Sequence, residues 1–277
     1  MNAWTTDYLP GSPRIAFDHM GQGPLVLFLH GIGSNRTSWH LQLPAFAEHF
    51  HAVAWDARGY GRSEDYQGEL DFGDFAGDLV RLLDHFGAAT AHLCGLSMGG
   101  RIAQDFHARH ADRVATLVLC DTFAGDDAHD ARSGRSQSIE EFVNSRIQPF
   151  LDGEDPKERA PRTAGRLMAP GHSADALRRA IRASSEIHVE SYIKTVRASA
   201  AFSRVDELAH IRVPTLLVFG AEDPLTPPTV GQYMRDKIAG SRLVILPGAG
   251  HLTNLEVPEA FNATVLAFLF EHRDLAG

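Results

Sequence analysis

Apolar residues in this chain gather in short runs, and between the runs apolar positions recur three and four residues apart. Short runs bounded by turn residues mark strands buried on both faces, and the intervening spacing marks amphipathic helices. The alternation therefore predicts an α/β fold with a mostly parallel sheet covered by helices on both sides. Strands are expected at Arg14 to His19, as an early edge strand, then at Pro24 to His30 (PLVLFLH), His51 to Trp55, Thr90 to Cys94 and Thr116 to Cys120. Helices are expected between them at about 38 to 49, 72 to 86 and 99 to 110.

From Phe123 to Val205 the rhythm changes, because no buried-strand pattern occurs there. The segment opens with the acidic loop GDDAHDARSGRS. Helical spacing follows near 138 to 150, 173 to 184 and 186 to 201, with Asp152-Gly153-Glu154-Asp155-Pro156 and Pro170-Gly171 as breaks. Strands resume at Thr215 to Gly220 and Arg242 to Leu246. A last helix from about 258 to 271 carries Ala260, Phe261, Val265, Leu266 and Phe268, which read as core packing. The expected organisation is a core of residues 1-122 and 206-277 with a helical insertion at 123-205.

Composition narrows the possible partners. The formal net charge is −9 and the pI about 5.9, which argues against nucleic acid and anionic membranes, since both select a clustered basic face. Cys94 and Cys120 lie inside apolar runs and are expected as reduced core residues of a cytoplasmic protein. Met1 to Pro13 lacks the basic and apolar regions of a signal peptide, and no run is long enough for a membrane span.

The chemistry concentrates at Gly95-Leu96-Ser97-Met98-Gly99-Gly100, between a strand and a helix. Glycines two positions either side of Ser97 permit a sharp turn that lifts its hydroxyl above the sheet. The following helix aims its N-terminal amides at the same point. A serine needs a base to take its proton and an acid to orient that base. His251, in Pro247-Gly248-Ala249-Gly250-His251, follows the strand LVIL, and Asp223, in Gly220-Ala221-Glu222-Asp223-Pro224, follows TLLVF. Both fall at carboxyl ends of parallel strands, where open α/β sheets bind ligands. Glu222 and Asp121 are the rival acids. The turn His30-Gly31-Ile32-Gly33 supplies the Ile32 amide for an oxyanion hole, with the Met98 amide as second donor, and His30 is expected to shape the turn. The spacing shows neither a metal-ligand cluster nor a dinucleotide fingerprint, so no cofactor is expected.

Together these motifs resemble the α/β-hydrolase fold superfamily over about residues 12 to 272. Asp56-Ala57-Arg58-Gly59-Tyr60-Gly61-Arg62-Ser63 is similar to the family's D-x-R-G-x-G-x-S turn, where Asp56 and Arg58 would hold loops in place. The resemblance implies an eight-stranded-type sheet, a cap formed by 123-205, and catalytic Ser97, Asp223 and His251. Within the superfamily the elbow and the VLCDT strand end look like the enol-lactonase, esterase and cofactor-free haloperoxidase branch. Lactonases of that branch tend to carry tryptophan in the cap, whereas Trp4, Trp39 and Trp55 all lie outside it.

The implied activity is hydrolysis of a small-molecule carboxylic ester or lactone through an acyl-enzyme, by a monomer or homodimer. The alternatives are a 3-oxoadipate enol-lactonase type, a carbon-carbon bond hydrolase of aromatic degradation, and a ligand receptor of the same fold with single-turnover chemistry. Serine at position 97 argues against the aspartate-elbow dehalogenases and epoxide hydrolases. An anionic lactone would need a cation in the pocket, for which Arg146, Arg159, Arg162 and Arg166 are candidates.

Overall fold

A computed structural model describes residues 4 to 125 and 138 to 277. Beyond Gly125, the acidic loop singled out above lies outside the described residues, as does the start of the N-terminal segment. The expected sheet is present. It has eight strands: β1 Thr5–Leu9, β2 Ile15–Met20, β3 Leu25–Leu29, β4 His51–Trp55, β5 Ala91–Leu96, β6 Val114–Cys120, β7 Thr215–Gly220 and β8 Arg242–Leu246. Their order is β1-β2-β4-β3-β5-β6-β7-β8. The pairs β1–β2 and β2–β4 are antiparallel and the rest parallel.

The helices are α1 Gln42–Phe46, α2 Phe72–His85, α3 Met98–Arg109, α4 Ile139–Leu151, α5 Pro156–Leu167, α6 Ala174–Ser184, α7 Val189–Ala200, α8 Pro228–Lys237, α9 Thr253–Glu256 and α10 Pro258–Glu271. The continuous apolar runs are explained by burial on both faces. Leu27 and Leu29 join a core beneath α2 and α3, while Val26 and Phe28 join the opposite core with Trp39 and Phe46 under α10. Each fully buried side chain of this size contributes about 2 kcal/mol. Cys94 and Cys120 are buried free thiols in the second core.

Three expectations need correction. Arg14 to His19 is not the edge: β2 is interior, and β1 pairs outside it from Thr5↔His19 to Leu9↔Ile15. The helix expected over 38 to 49 is a 3-10 turn at Arg36–Trp39 followed by the short α1. Pro44 explains this, because it has no N–H to donate to the residue-40 carbonyl and is tolerated only in a first turn. The break at Asp152 to Pro156 is present, but the helix α5 that follows it was not expected: Asp155 caps Lys157 N at 2.7 Å and Pro156 takes the first helical position.

Among the described residues, four helices, α4 to α7, stand between β6 and β7. This segment meets the loop after β4 through a bridge between Tyr60 and Ile187 and through Ser191 Oγ donating to Asp65 at 2.5 Å, and its two ends are joined by Arg204 N donating to Ala124 O.

Candidate active site

The loop after β5 has the geometry that its glycines permit. Ser97 holds φ +54° and ψ −112°, a conformation that a side chain rarely adopts and that the packing around it must enforce. A Cβ on Gly99 would land on the Leu29 carbonyl, and one on Gly95 on the backbone of Gly99. Only glycines therefore let α3 close onto β3 and β5 at this point. Ser97 N donates to Cys120 O at 2.9 Å, and Thr122 Oγ1 donates to Ser97 O at 2.6 Å. The Met98 amide begins α3, where first-turn N–H groups have no intrahelical acceptor and the helix dipole is positive.

Asp223 follows β7 and His251 follows β8, so adjacent parallel strands deliver them side by side. His251 Nδ1 lies 2.8 Å from Asp223 Oδ2. Asp223 Oδ1 accepts from Leu225 N at 2.7 Å and Thr226 N at 3.0 Å, and Thr226 Oγ1 donates to Oδ2 at 2.5 Å. Burial acts to raise the Asp223 pKa, but the His251 charge and these hydrogen bonds outweigh it and hold the carboxyl below the usual range. With so many donors, Asp223 stays ionised beside an imidazole fixed in one orientation.

The two rivals are placed elsewhere. Glu222 is exposed. Asp121, at φ +44°, is fully buried; its Oδ1 accepts from Gly220 N at 2.8 Å and its Oδ2 pairs with Thr253 Oγ1 at 2.6 Å. Burial and the nearby Asp223 charge push its pKa well up. The two neighbouring carboxyls are thus shifted in opposite directions, Asp223 down and Asp121 up.

Ser97, His251 and Ile32 line a single cavity with about 850 Å³ of empty space, its mouth included. Ser97 is only 6% exposed and His251 3%, so bulk water is largely kept from both. Leu96, Phe150, Leu167, Tyr192 and Leu225 give the walls an apolar character, and Arg146 and Arg159 also face the space. Arg162 and Arg166 are exposed and do not line it. His30 is buried with Nε2 accepting from Ala57 N at 3.0 Å and Nδ1 2.9 Å from Gly31 O, so it braces the turn that carries Ile32. Asp56 accepts from Arg36 N and Arg62 N at 2.7 Å, and Arg58 pairs with Asp78 at 2.7 Å; both hold loops, as the turn motif implies.

Thr226, Thr253 and Glu256 were not singled out from the sequence, although all three bind site loops. Thr226 alone had a visible signal: a threonine three residues after an aspartate in a turn is placed to donate back to it.

Residues 26–264 match the family model described as "Alpha/beta hydrolase family", and the chain belongs to that family. Among its relatives is 3-oxoadipate enol-lactonase 2 of Acinetobacter baylyi, 28% identical over 249 residues that cover 89% of this chain and 88% of that protein. A solved hydrolase from Pseudomonas aeruginosa is 30% identical with a TM-score of 0.85, covering 97% of this chain and 99% of its own. A thermophilic esterase from Thermogutta terrifontis, solved with malate bound, is 27% identical with a TM-score of 0.82, covering 98% and 100%.

Proposed function

We propose that this protein is a serine hydrolase that cleaves a small carboxylic ester or lactone. The carrying observation is that Ser97 and His251 line one buried cavity while Asp223 holds the far nitrogen of the imidazole at 2.8 Å. In this mechanism the Ser97 oxygen attacks the carbonyl carbon as its proton passes to His251 Nε2. Asp223 stabilises the resulting imidazolium, and the Ile32 and Met98 amides hold the oxyanion. His251 returns the proton to the departing alkoxide, whose bond to carbon breaks. Water, deprotonated by His251, then attacks the acyl-serine and releases the carboxylic acid and free Ser97. Helices α4 to α7, within 123-205, act as the cap that closes the site from above.

The cavity lining favours one kind of substrate within that chemistry, with an apolar body and an anionic group. Arg159 is paired with Glu154 at 2.8 Å, whereas Arg146 lies over the Phe142 ring at 4.7 Å and forms no ion pair among the described residues. A guanidinium beside apolar walls is costly to desolvate without an anion. The relative named as an enol-lactonase and the neighbour with malate, a dicarboxylate, are in keeping with this.

The test is turnover of short p-nitrophenyl esters together with labelling by a fluorophosphonate. Ser97→Ala is expected to lower kcat/KM by about 10³-fold or more and to abolish the adduct, which mass spectrometry should place on Ser97. Near-normal hydrolysis by that variant would rule the mechanism out. One equivalent of retained product per chain, in place of repeated turnover, would mark a ligand receptor.

A further inference from the structure

The loop that carries His251 is held from outside the triad. Glu256, in the α9 turn that follows, reaches back with its carboxylate: Oε1 accepts from Gly250 N at 3.1 Å and Leu252 N at 3.0 Å, the amides on either side of His251. Its Oε2 accepts from Ala169 N at 2.7 Å, just beyond the C-terminal end of α5. The amide of His251 itself donates to Leu167 O at 2.7 Å, from the same end of α5. Three consecutive amides of the histidine loop are thus bound either to Glu256 or to the last residue of α5, two positions before the Ala169 amide that Glu256 also accepts. The approach is close, since a Cβ on Gly250 would collide with Leu167, Met168 and Ala169. Apolar packing closes the joint from the side, where Ala164 and Met168 meet Leu252 and Leu255. Leu167 also lines the cavity, so the anchored end of α5 is part of its wall.

We propose that Glu256 is a positioning residue that locks the His251 loop to the inserted helices, so that the imidazole is in register with Ser97 only while α5 is seated. It rests on His251 acting as the base. The carboxylate is needed for geometry rather than for charge alone: three N–H groups converge on it, and a carboxylate offers acceptors on both of its oxygens, whereas an amide offers one oxygen and turns an N–H toward the other donors. Aspartate, one methylene shorter, keeps the charge but cannot span from the His251 loop to Ala169. Contact between a substrate and the cavity wall at Leu167 is felt at the base through this joint.

The experiment compares Glu256→Gln, Glu256→Asp and His251→Ala in the full chain with a short p-nitrophenyl ester, alongside circular dichroism. Both Glu256 variants are expected to keep native dichroism and to lose about tenfold or more in kcat, while KM stays within about threefold, because misplacement of a catalytic group by a fraction of an ångström acts on the chemical step. Phosphorylation of Ser97 by diisopropyl fluorophosphate should slow in parallel. Wild-type kcat in folded Glu256→Gln, with His251→Ala inactive, overturns the lock and leaves the triad standing. Loss in Glu256→Gln with full activity in Glu256→Asp overturns the geometric role in favour of charge. Activity retained by His251→Ala overturns both the base and the lock.

Discussion

At the scale of single residues, Ser97 carries a conformational cost for its place at the site. A non-glycine residue at φ +54° costs on the order of 1 kcal/mol or more. Ser97→Gly is therefore expected to raise stability by about 1 kcal/mol in urea unfolding while removing hydrolysis. Asp121 gives a second test, through pH. Its pKa is raised by burial and by Asp223, so the native chain binds this proton more tightly than the unfolded chain does. Stability from Asp121 is then full below the ordinary carboxylate range and is lost as pH rises from there toward the raised folded value. Asp121→Asn, which can still accept from Gly220 N and donate to Thr253 Oγ1, should match or exceed the wild type in melting temperature at pH 7. That advantage should vanish toward pH 3. Asp223 behaves in the opposite way: its lowered pKa stabilises the fold above the ordinary carboxylate range, and the benefit disappears as pH falls through the folded value.

At the scale of elements, what the sequence disclosed depended on how strongly each segment is buried. The strands β3, β5, β6 and β7 are buried along their whole length and stood out as apolar runs. β1, with the sequence TTDYL and alternating exposure, offered no such run and was missed. α5 was missed because no helical spacing was read between the breaks at Asp152 to Pro156 and Pro170-Gly171, although Pro156 opens the helix. The elbow was fully legible, since glycine spacing there answers to backbone collisions that allow no substitute. Gly99→Ala should accordingly lose about 2 kcal/mol or more by urea titration, because its methyl group meets the Leu29 carbonyl and neither strand nor helix can yield cheaply.

At the scale of the whole molecule, the site is assembled by topology. Ser97, Asp223 and His251 are far apart in sequence, yet β5, β6, β7 and β8 are neighbours in the sheet and bring their carboxyl ends to one edge. That much followed from the order of strands and loops. The orientation of the inserted helices did not, because amphipathic spacing gives a face but not what the face looks upon; only packing shows that Arg146 and Arg159 turn inward and Arg162 and Arg166 outward. Arg146→Gln should raise KM about tenfold for an ester bearing a carboxylate and leave the corresponding methyl ester within about twofold, as expected for losing one charge-assisted contact. Equal effects on both substrates would remove Arg146 from recognition.

The order in which the strands join the sheet also has a consequence in time. During synthesis β5 and Ser97 leave the ribosome well before β7 and β8, whose loops carry the acid and base of the proposed mechanism. If Ser97, Asp223 and His251 act as proposed, a nascent chain displays the serine with nothing to deprotonate it, and reactivity is expected only once the last two strands have paired. Labelling stalled chains of increasing length with a fluorophosphonate should give no adduct until both strands and the His251 loop have emerged.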